Sequence, residues 1–246
     1  MRNLELPGRS PVHATAGMAA TSHPLATAAA LNVLQSGGNA MDAAVAACAV
    51  QCVVEPQATG IGGDCFMLYA PGGGGDIIAY NGSGRAPKAA TPEWFADRGI
   101  DEIGEHTPHT VTIPGAIDAW CRLLDDHGTK SIGEVLTYAI GYARDGYPVH
   151  ARVAFDWKRH KELLEKDPTA KRIYLPGGKP PVAGSLHHQP ELAATLEKIA
   201  DGGRDAFYTR AVAEEAARLR GGKEHWSGVT RPPPLQAIEN ARRDKL

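Results

Sequence analysis

The apolar positions of the first fifty residues predict one strand followed by two helices. A run of small residues from Val12 to Thr21 predicts the strand. The segment from Pro24 to about Ser36 carries alanines and leucines at helical spacing, with proline at a favourable first position, and predicts a helix. Gly37 then supplies a C-terminal stop, so the second helix begins beyond it.

The segment from Ala40 to Val54 is apolar on nearly every side, which predicts a helix enclosed by the core rather than lying on its surface. Asn39 is placed to cap this helix, and Asp42 lies in its first turn, where negative charge is favoured. Glu55 precedes a proline and therefore ends it. The helix residues expected to be buried are Ala44, Val45, Cys48 and Ala49.

A glycine turn from Thr59 to Gly63 leads into two further strands, Cys65 to Tyr69 and Asp76 to Tyr80, which predict a hairpin. The remaining chain predicts helices at about 116–126, 132–144, 151–165, 191–200 and 205–220. Strands and helices do not alternate regularly along this chain, as they would in a doubly wound parallel sheet. The sequence therefore predicts an α+β protein with a helix-rich C-terminal half.

The composition excludes several classes of partner. The 246 residues are 43% hydrophobic and 22% charged, with a net charge of −2 and both signs mixed along the chain, so neither nucleic acid nor an anionic membrane is expected. The longest apolar stretch, Ala43 to Val54, is too short to span a bilayer. Residues 1–10 have no apolar core of a signal peptide, so a cytoplasmic location is expected.

The cysteines and histidines do not predict a metal site. Cys48 and Cys52 are four residues apart, but two thiols are too few for zinc, and buried free cysteines are the better interpretation. No His-x-x-x-His pair with a third ligand occurs among the ten histidines. His23 is therefore expected to form a strand-to-helix corner, and the others are expected to be surface residues, among them His106, His109, His187 and His188. No cofactor is expected.

The glycine turn Gly60–Gly63 permits two interpretations. It could hold a phosphate, or it could allow close packing of backbone at a corner. A dinucleotide-binding loop runs from a strand into a helix, whereas this turn runs from a helix into a strand. The structural role is therefore preferred.

Three blocks in one order, Gly17–Ala26, Gly37–Ala44 and Glu55–Gly63, strongly resemble the start of the gamma-glutamyltransferase family. The resemblance covers about residues 14–215. It implies an N-terminal nucleophile hydrolase with a four-layer αββα fold, incomplete here, of which residues 1–222 form the large-subunit portion and 223–246 a divergent tail. It also implies acyl transfer from, or hydrolysis of, a gamma-glutamyl amide through a threonyl ester.

The catalytic threonine of that family opens a second, small subunit, and we find no equivalent segment in this sequence. The internal threonines are therefore expected to be strand or turn residues: Thr15, Thr21, Thr59, Thr110 and Thr112. A truncated or frameshifted gene, a separately encoded small subunit and a non-catalytic remnant all remain open. Because the family's sheets draw strands from both subunits, the hairpin and the strand around Met18 are expected to present unpaired edges and an uncovered apolar face.

The candidate substrate-binding residues are Arg85 and Ser83, in the segment Asn81–Pro87. In classical gamma-glutamyltransferases an arginine three residues before an Ala-Pro pair holds the substrate carboxylate, and that place here is Ser83. Arg85 stands two residues closer to the proline and is the alternative carboxylate ligand, because a guanidinium matches both carboxylate oxygens. The departure resembles relatives that hydrolyse other small carboxylated amides, such as oxamate. The competing interpretation of Arg85 is a surface loop residue.

Overall fold

The computed structural model describes residues 12–86, 90–104 and 107–209, and these form an α+β structure rich in helix. The helices are α1 (Pro24–Gln35), α2 (Ala40–Val54), α3 (Pro92–Ala96), α4 (Ala116–His127), α5 (Ile132–Asp145), α6 (Ala151–Arg159), α7 (Lys161–Leu164), α8 (Pro168–Tyr174) and α9 (Pro190–Tyr208). The strands are β1 (Phe66–Tyr69), β2 (Ile78–Asn81), β3 (Tyr147–Pro148) and β4 (Leu186–His187). Within these residues no helix has both the length and the apolar character needed to cross a bilayer.

The main core is built around α2, which packs against α1, α4 and α5, while α5 in turn packs against α9. Its N-terminus carries the predicted cap: the Asn39 side chain accepts hydrogen bonds from the backbone of Met41 and Asp42, and the Asp42 carboxylate accepts from the Asn39 N–H. This reciprocal pair satisfies N–H groups that the first turn would otherwise leave without partners.

The prediction that α2 is central is confirmed, with one correction. Eleven of its fifteen residues are buried, including Val45 and Ala49. Ala44 and Cys48, however, are exposed. Together with Ala40 they recur every four residues and form a single stripe along the helix, because such positions lie on one face. That stripe is left uncovered by the described part of the chain.

The predicted hairpin is present as an antiparallel pair in which Phe66 faces Asn81 and Leu68 faces Ala79. Within the described residues this sheet has two strands only. Its residues alternate between exposed and partly buried, as expected for a sheet with one face on the core. The outer face is apolar, since the side chains of Phe66 and Leu68 are 68% and 78% exposed.

The strand predicted from Val12 to Thr21 is not formed. Residues 12–21 pair with none of the described strands, and Met18 is 57% exposed. A strand requires hydrogen bonds from a neighbouring strand. The local preference of these small residues is therefore not enough to form a strand without such a neighbour.

The C-terminal half differs from its prediction at three places. The helix expected over 151–165 is divided at His160, whose backbone angles are not helical. Helix α8, capped by the Asp167 side chain, was not predicted. The two helices expected at 191–200 and from 205 onward are separated by Gly203, whose positive φ of 59° interrupts α9. The predicted helix beyond Thr209, and the proposed boundary at 222, lie outside the described residues.

Two histidines are buried: His23, which was expected at a corner before a helix, and His187, which was expected at the surface. His23 caps α1, its Nδ1 accepting from the Leu25 N–H, and is 1% exposed. His187 is 4% exposed and its ring contacts those of Tyr147, Trp157 and Tyr174. Burial, together with a smaller effect of the neighbouring His188, lowers the pKa of His187 to about 4. The imidazole is therefore neutral in the folded chain at neutral pH.

Because His187 is neutral when folded and has a pKa near its usual 6.5 when unfolded, acid is expected to destabilise the chain. Between pH 6.5 and 4 the unfolded chain binds a proton that the folded chain does not. The free energy of unfolding should fall by about 2 kcal/mol between pH 7.5 and pH 5 from this residue. Urea titrations across that range measure it. His187→Leu should flatten the pH dependence, whereas His13→Gln, at an exposed position, should preserve it; equal slopes in all three proteins would refute the assignment.

Candidate functional site

The loop that carries Ser83 and Arg85 is held rigidly at its backbone. The Asn81 side chain accepts from the Ser83 N–H at 2.9 Å, and the Asp64 carboxylate accepts from the Gly84 N–H at 3.1 Å. The Arg85 carbonyl accepts from the Ile113 N–H at 2.9 Å. These bonds connect the loop to the segment after the glycine turn and to the segment before α4, so the positions of both candidate side chains are determined by the fold.

Two glycines explain why this loop can lie so close to its neighbours. A Cβ on Gly84 would lie 1.5 Å from the Ile113 carbonyl oxygen. A Cβ on Gly115 would lie 2.0 Å from the carbonyl oxygen of Gly82. Both obstacles are backbone atoms that cannot move aside independently, so only glycine fits at these positions.

The Ser83 and Arg85 side chains are both exposed at this fixed loop. Within the described residues, the Arg85 guanidinium makes no ion pair or hydrogen bond, whereas other arginines such as Arg152 and Arg204 are paired with carboxylates. A guanidinium on an anchored backbone, with its donors unused, is suited to bind a carboxylate from solution. The structure therefore presents both candidates on one loop.

A groove of about 310 Å³ lies beside this loop. The two are joined directly, because Gly82 and Cys65 exchange backbone hydrogen bonds. The groove runs between the exposed stripe of α2, the start of β1 and the first turns of α4. Its lining includes Ser22, Cys48, Gln51, Glu55, Thr59, Gly60, Asp64, Cys65, Phe66 and Trp120.

Glu55, which the sequence indicated only as a helix terminator, is the buried carboxylate of this groove. It is 6% exposed, and its Oε2 accepts from the Ser22 hydroxyl at 2.5 Å. The Gln51 amide donates to the Ser22 oxygen at 2.8 Å. The signal that could have identified Glu55 is its position at the end of an otherwise apolar helix, where an acidic side chain enters the core.

Ser22 does not form a serine nucleophile with the adjacent His23. The Nδ1 atom of His23 is occupied by the Leu25 N–H, and the ring Nε2 is sealed from solvent without a partner. Burial lowers the pKa of His23, while the charge of Glu55 opposes this shift. Ser22 therefore has a carboxylate partner but no histidine base.

The glycine turn supports the scaffold interpretation. The Gly63 carbonyl accepts hydrogen bonds from the N–H groups of Gly115 and Ala116, each at 3.0 Å. These are the first N–H groups of α4, the donors that a phosphate would need. Because the protein's own backbone already occupies them, this helix N-terminus is not available for an anion.

Sequence and structural comparisons connect this arrangement to known proteins. The sequence model of the family described as gamma-glutamyltranspeptidase matches residues 26–220. The chain belongs to this family. The match includes α2, the hairpin, the anchored loop and α4 to α9, so the loop and all of the groove lining except Ser22 lie within the matched sequence.

The relatives include two curated bacterial proenzymes. The glutathione hydrolase-like YwrD proenzyme of Bacillus subtilis is 39% identical over 200 residues, covering 79% of this chain and 37% of that protein. The oxamate amidohydrolase proenzyme of Klebsiella pneumoniae is 39% identical over 210 residues, covering 83% of this chain and 39% of that protein. The chain thus spans less than two fifths of the length of these curated relatives.

A solved family structure has the same fold over most of this chain. The crystal structure of the Helicobacter pylori gamma-glutamyltranspeptidase superposes with a TM-score of 0.81 at 31% identity. The superposition covers 89% of this chain and 66% of that one. The elements that hold the loop and the groove are therefore arranged as in a gamma-glutamyltranspeptidase.

The described threonines are engaged in local hydrogen bonds rather than in a catalytic arrangement. The Thr21 hydroxyl donates to the His23 carbonyl and contacts the Thr27 hydroxyl, and the Thr110 hydroxyl donates to the Thr107 carbonyl. Each of these residues lies inside the chain, so none has the free amine that serves as base in this family. The described residues thus contain scaffold and candidate binding groups, without the family's nucleophile.

The cysteines behave as small apolar residues rather than as ligands or nucleophiles. No group of three or more potential metal ligands occurs in the described segments. Burial raises the pKa of Cys52 to about 12 and that of Cys65 to about 11, so both thiols are neutral at pH 7 and weak as nucleophiles. Cys48 departs from the prediction, because it is exposed at the groove.

Proposed function

We propose that this chain is the large-subunit part of a gamma-glutamyltransferase-like enzyme, which transfers or hydrolyses a gamma-glutamyl amide through an N-terminal threonine supplied by a small subunit. The observation that carries the proposal is the anchored loop, inside a segment of family sequence, whose Arg85 guanidinium has no partner among the described residues. No cofactor is needed for this chemistry. The cytoplasmic location expected from the sequence remains a prediction.

The small subunit would complete a four-layer fold at the uncovered surfaces of this chain. Two apolar surfaces border the groove and have no partner among the described residues. They are the outer face of the hairpin and the stripe of α2 that includes Cys48. A partner that packed against them would bring its first residue close to the loop of Ser83 and Arg85. The proenzyme names of the relatives support such a division into subunits.

Hydrolysis of a small carboxylated amide is the second candidate function. It is favoured by Ser83, which stands where the classical transpeptidase pattern has arginine, and by the similarity to an oxamate amidohydrolase proenzyme. The carboxylate of a shorter substrate would then be held by Arg85, which stands two residues after Ser83. The two candidates share the nucleophile and differ in which residue selects the substrate.

Complementation tests the proposed function. We expect the 246-residue chain alone to keep its mass of 26.0 kDa and to release no p-nitroaniline from a gamma-glutamyl anilide. Coexpression with the small-subunit half of the Bacillus subtilis relative should give hydrolysis of that anilide or of oxamate. Turnover by the chain alone that depends on one internal threonine would refute the division of roles. Failure of the assembled pair on both substrates would refute the proposed activity.

In the active pair, Arg85→Ala is expected to raise KM by about 10- to 100-fold with little change in kcat, because a charge-assisted contact to the substrate is lost. Arg159→Ala removes an equally exposed arginine of α6 and should leave both constants unchanged. Ser83→Arg should shift preference from oxamate toward the gamma-glutamyl substrate. A normal KM in Arg85→Ala would identify Arg85 as a surface residue.

A further inference from the structure

A second cavity, of about 840 Å³, lies on the other side of Glu55 from the candidate groove. It opens between the end of α2 and helices α6, α7 and α8. Ser22, Glu55 and Ala58 form part of both linings, so the two spaces adjoin at these residues. The cavity is also lined by the aromatic side chains of Trp157 and Tyr174. Its volume is that of a site for a small organic molecule.

Glu55 presents an uncompensated negative charge to this space. Its Oε2 accepts hydrogen bonds only from the neutral groups of Ser22 and Gln51. Its Oε1 has no hydrogen-bond partner among the described residues, yet it is not sealed from solvent. Glu55 is 94% buried, lines this cavity and has one oxygen without a hydrogen-bond partner among the described residues. A cation placed beside such a carboxylate stabilises it, since burial without a counter-charge is costly.

The other charges that line the cavity cancel one another. The Arg152 Nε donates to both oxygens of Asp156, at 3.1 and 2.9 Å. The charge of Asp156 thus balances that of Arg152, so Glu55, Arg152 and Asp156 together leave one negative charge at this cavity. The lining also includes Trp157 and Tyr174, whose ring centroids are 5.2 Å apart. Trp157 is only 2% exposed, so the aromatic surface open to the cavity is mainly that of the partly exposed Tyr174. Aromatic faces attract organic cations and also pack against apolar groups.

We propose that this cavity binds a small organic ammonium compound, whose charged nitrogen pairs with Glu55 and whose apolar body packs against Tyr174. Binding would act on the candidate groove through Glu55 and Ser22, which the two spaces share. The site does not depend on the proposed catalytic function, because every residue that forms it belongs to the described chain.

Phenethylamine is a suitable probe, because it combines one ammonium group with one small aromatic body. Ligand-observed NMR at pH 7.5 on the full chain should give saturable binding. The neutral 2-phenylethanol and the anionic 3-phenylpropionate have the same body and should bind at least about tenfold more weakly, since they cannot pair with a carboxylate. Three outcomes would overturn the proposal. The alcohol could bind as well as the amine, or the anion could bind better through Arg152. The amine could also fail to bind at about 20 mM, which is above the millimolar range of a weak contact.

Substitution assigns the binding to Glu55. Glu55→Gln keeps the shape and an oxygen acceptor for Ser22, and it should weaken phenethylamine binding by at least about tenfold. Glu162→Gln changes an exposed carboxylate of α7 that does not line the cavity and should bind as the parent does. Circular dichroism confirms that each variant is folded. If Glu55→Gln binds phenethylamine within about twofold of the parent, a difference of less than about 0.5 kcal/mol, the assignment to Glu55 is overturned. If that variant does not fold, the comparison of the three probes on the unsubstituted chain tests whether the site prefers a cation.

Discussion

Replacing Asp42 by alanine is expected to lower the free energy of unfolding by about 4 kcal/mol. The carboxylate is fully buried and accepts hydrogen bonds from the Asn39 N–H, the Thr129 N–H and hydroxyl, and the Lys130 N–H. Burial by itself would raise the pKa of Asp42, but these hydrogen bonds outweigh burial and lower it. Alanine would leave several buried donors without an acceptor while also removing the cap of α2.

Urea denaturation followed by tryptophan fluorescence measures this effect. Asp42→Asn should be intermediate, because the amide keeps one acceptor oxygen but turns its N–H groups toward other donors. Asp201→Asn is the matched control at an exposed position of α9 and should change stability by less than about 0.5 kcal/mol. If Asp42→Ala lowers the free energy of unfolding by less than about 1 kcal/mol, water replaces the carboxylate as acceptor and the hydrogen bonds of Asp42 are unimportant for stability.

The helices were predictable where the sequence contains local signals. Helix α2 has its asparagine cap and its proline stop, and α5 begins at a Ser-x-x-Glu sequence whose Ser131 and Glu134 form a capping box. In each case the interacting residues are three or fewer positions apart, so the pattern can be recognised without the fold. The anchored loop was likewise predictable as a candidate site, because it is one short segment of family sequence.

The remaining features depend on contacts between distant segments. Asp42 meets Thr129 across 87 residues, which no local pattern reveals. His187 is buried because Trp157 and Tyr174, from two other helices, enclose it. Glu55 lines a cavity together with Trp157 and Tyr174, which are about a hundred residues away in the sequence. The predicted strand at Met18 failed for the same reason, since a strand depends on a neighbour as well as on its own residues.

The second large effect concerns the outer face of the hairpin, which is expected to make the 246-residue chain self-associate. Phe66, Leu68 and Ile77 are 68%, 78% and 66% exposed, and the two described strands have open edges. Apolar surface of several hundred Å² stabilises association by about 25 cal/mol for each Å² buried, and open edges add backbone hydrogen bonds. Light scattering should therefore give a mass above 26.0 kDa that rises with concentration.

Charge placed on this face should restore the monomer. The double variant Phe66→Lys and Leu68→Lys is expected to scatter as a single chain, because two lysines on one face of β1 repel the same face of another copy and cannot be buried there without a partner. Phe155→Lys changes an equally large side chain of α6 that is 59% exposed, and it should leave association unchanged. If the unsubstituted chain is a monomer with a cooperative melt above about 60 °C, the upper range for ordinary domains, this face is stable in water and needs no partner. If the small subunit covers the same surface, coexpression should replace self-association of the unsubstituted chain by a complex of the two subunits, whereas the double lysine variant should stay monomeric and should not copurify with the small subunit.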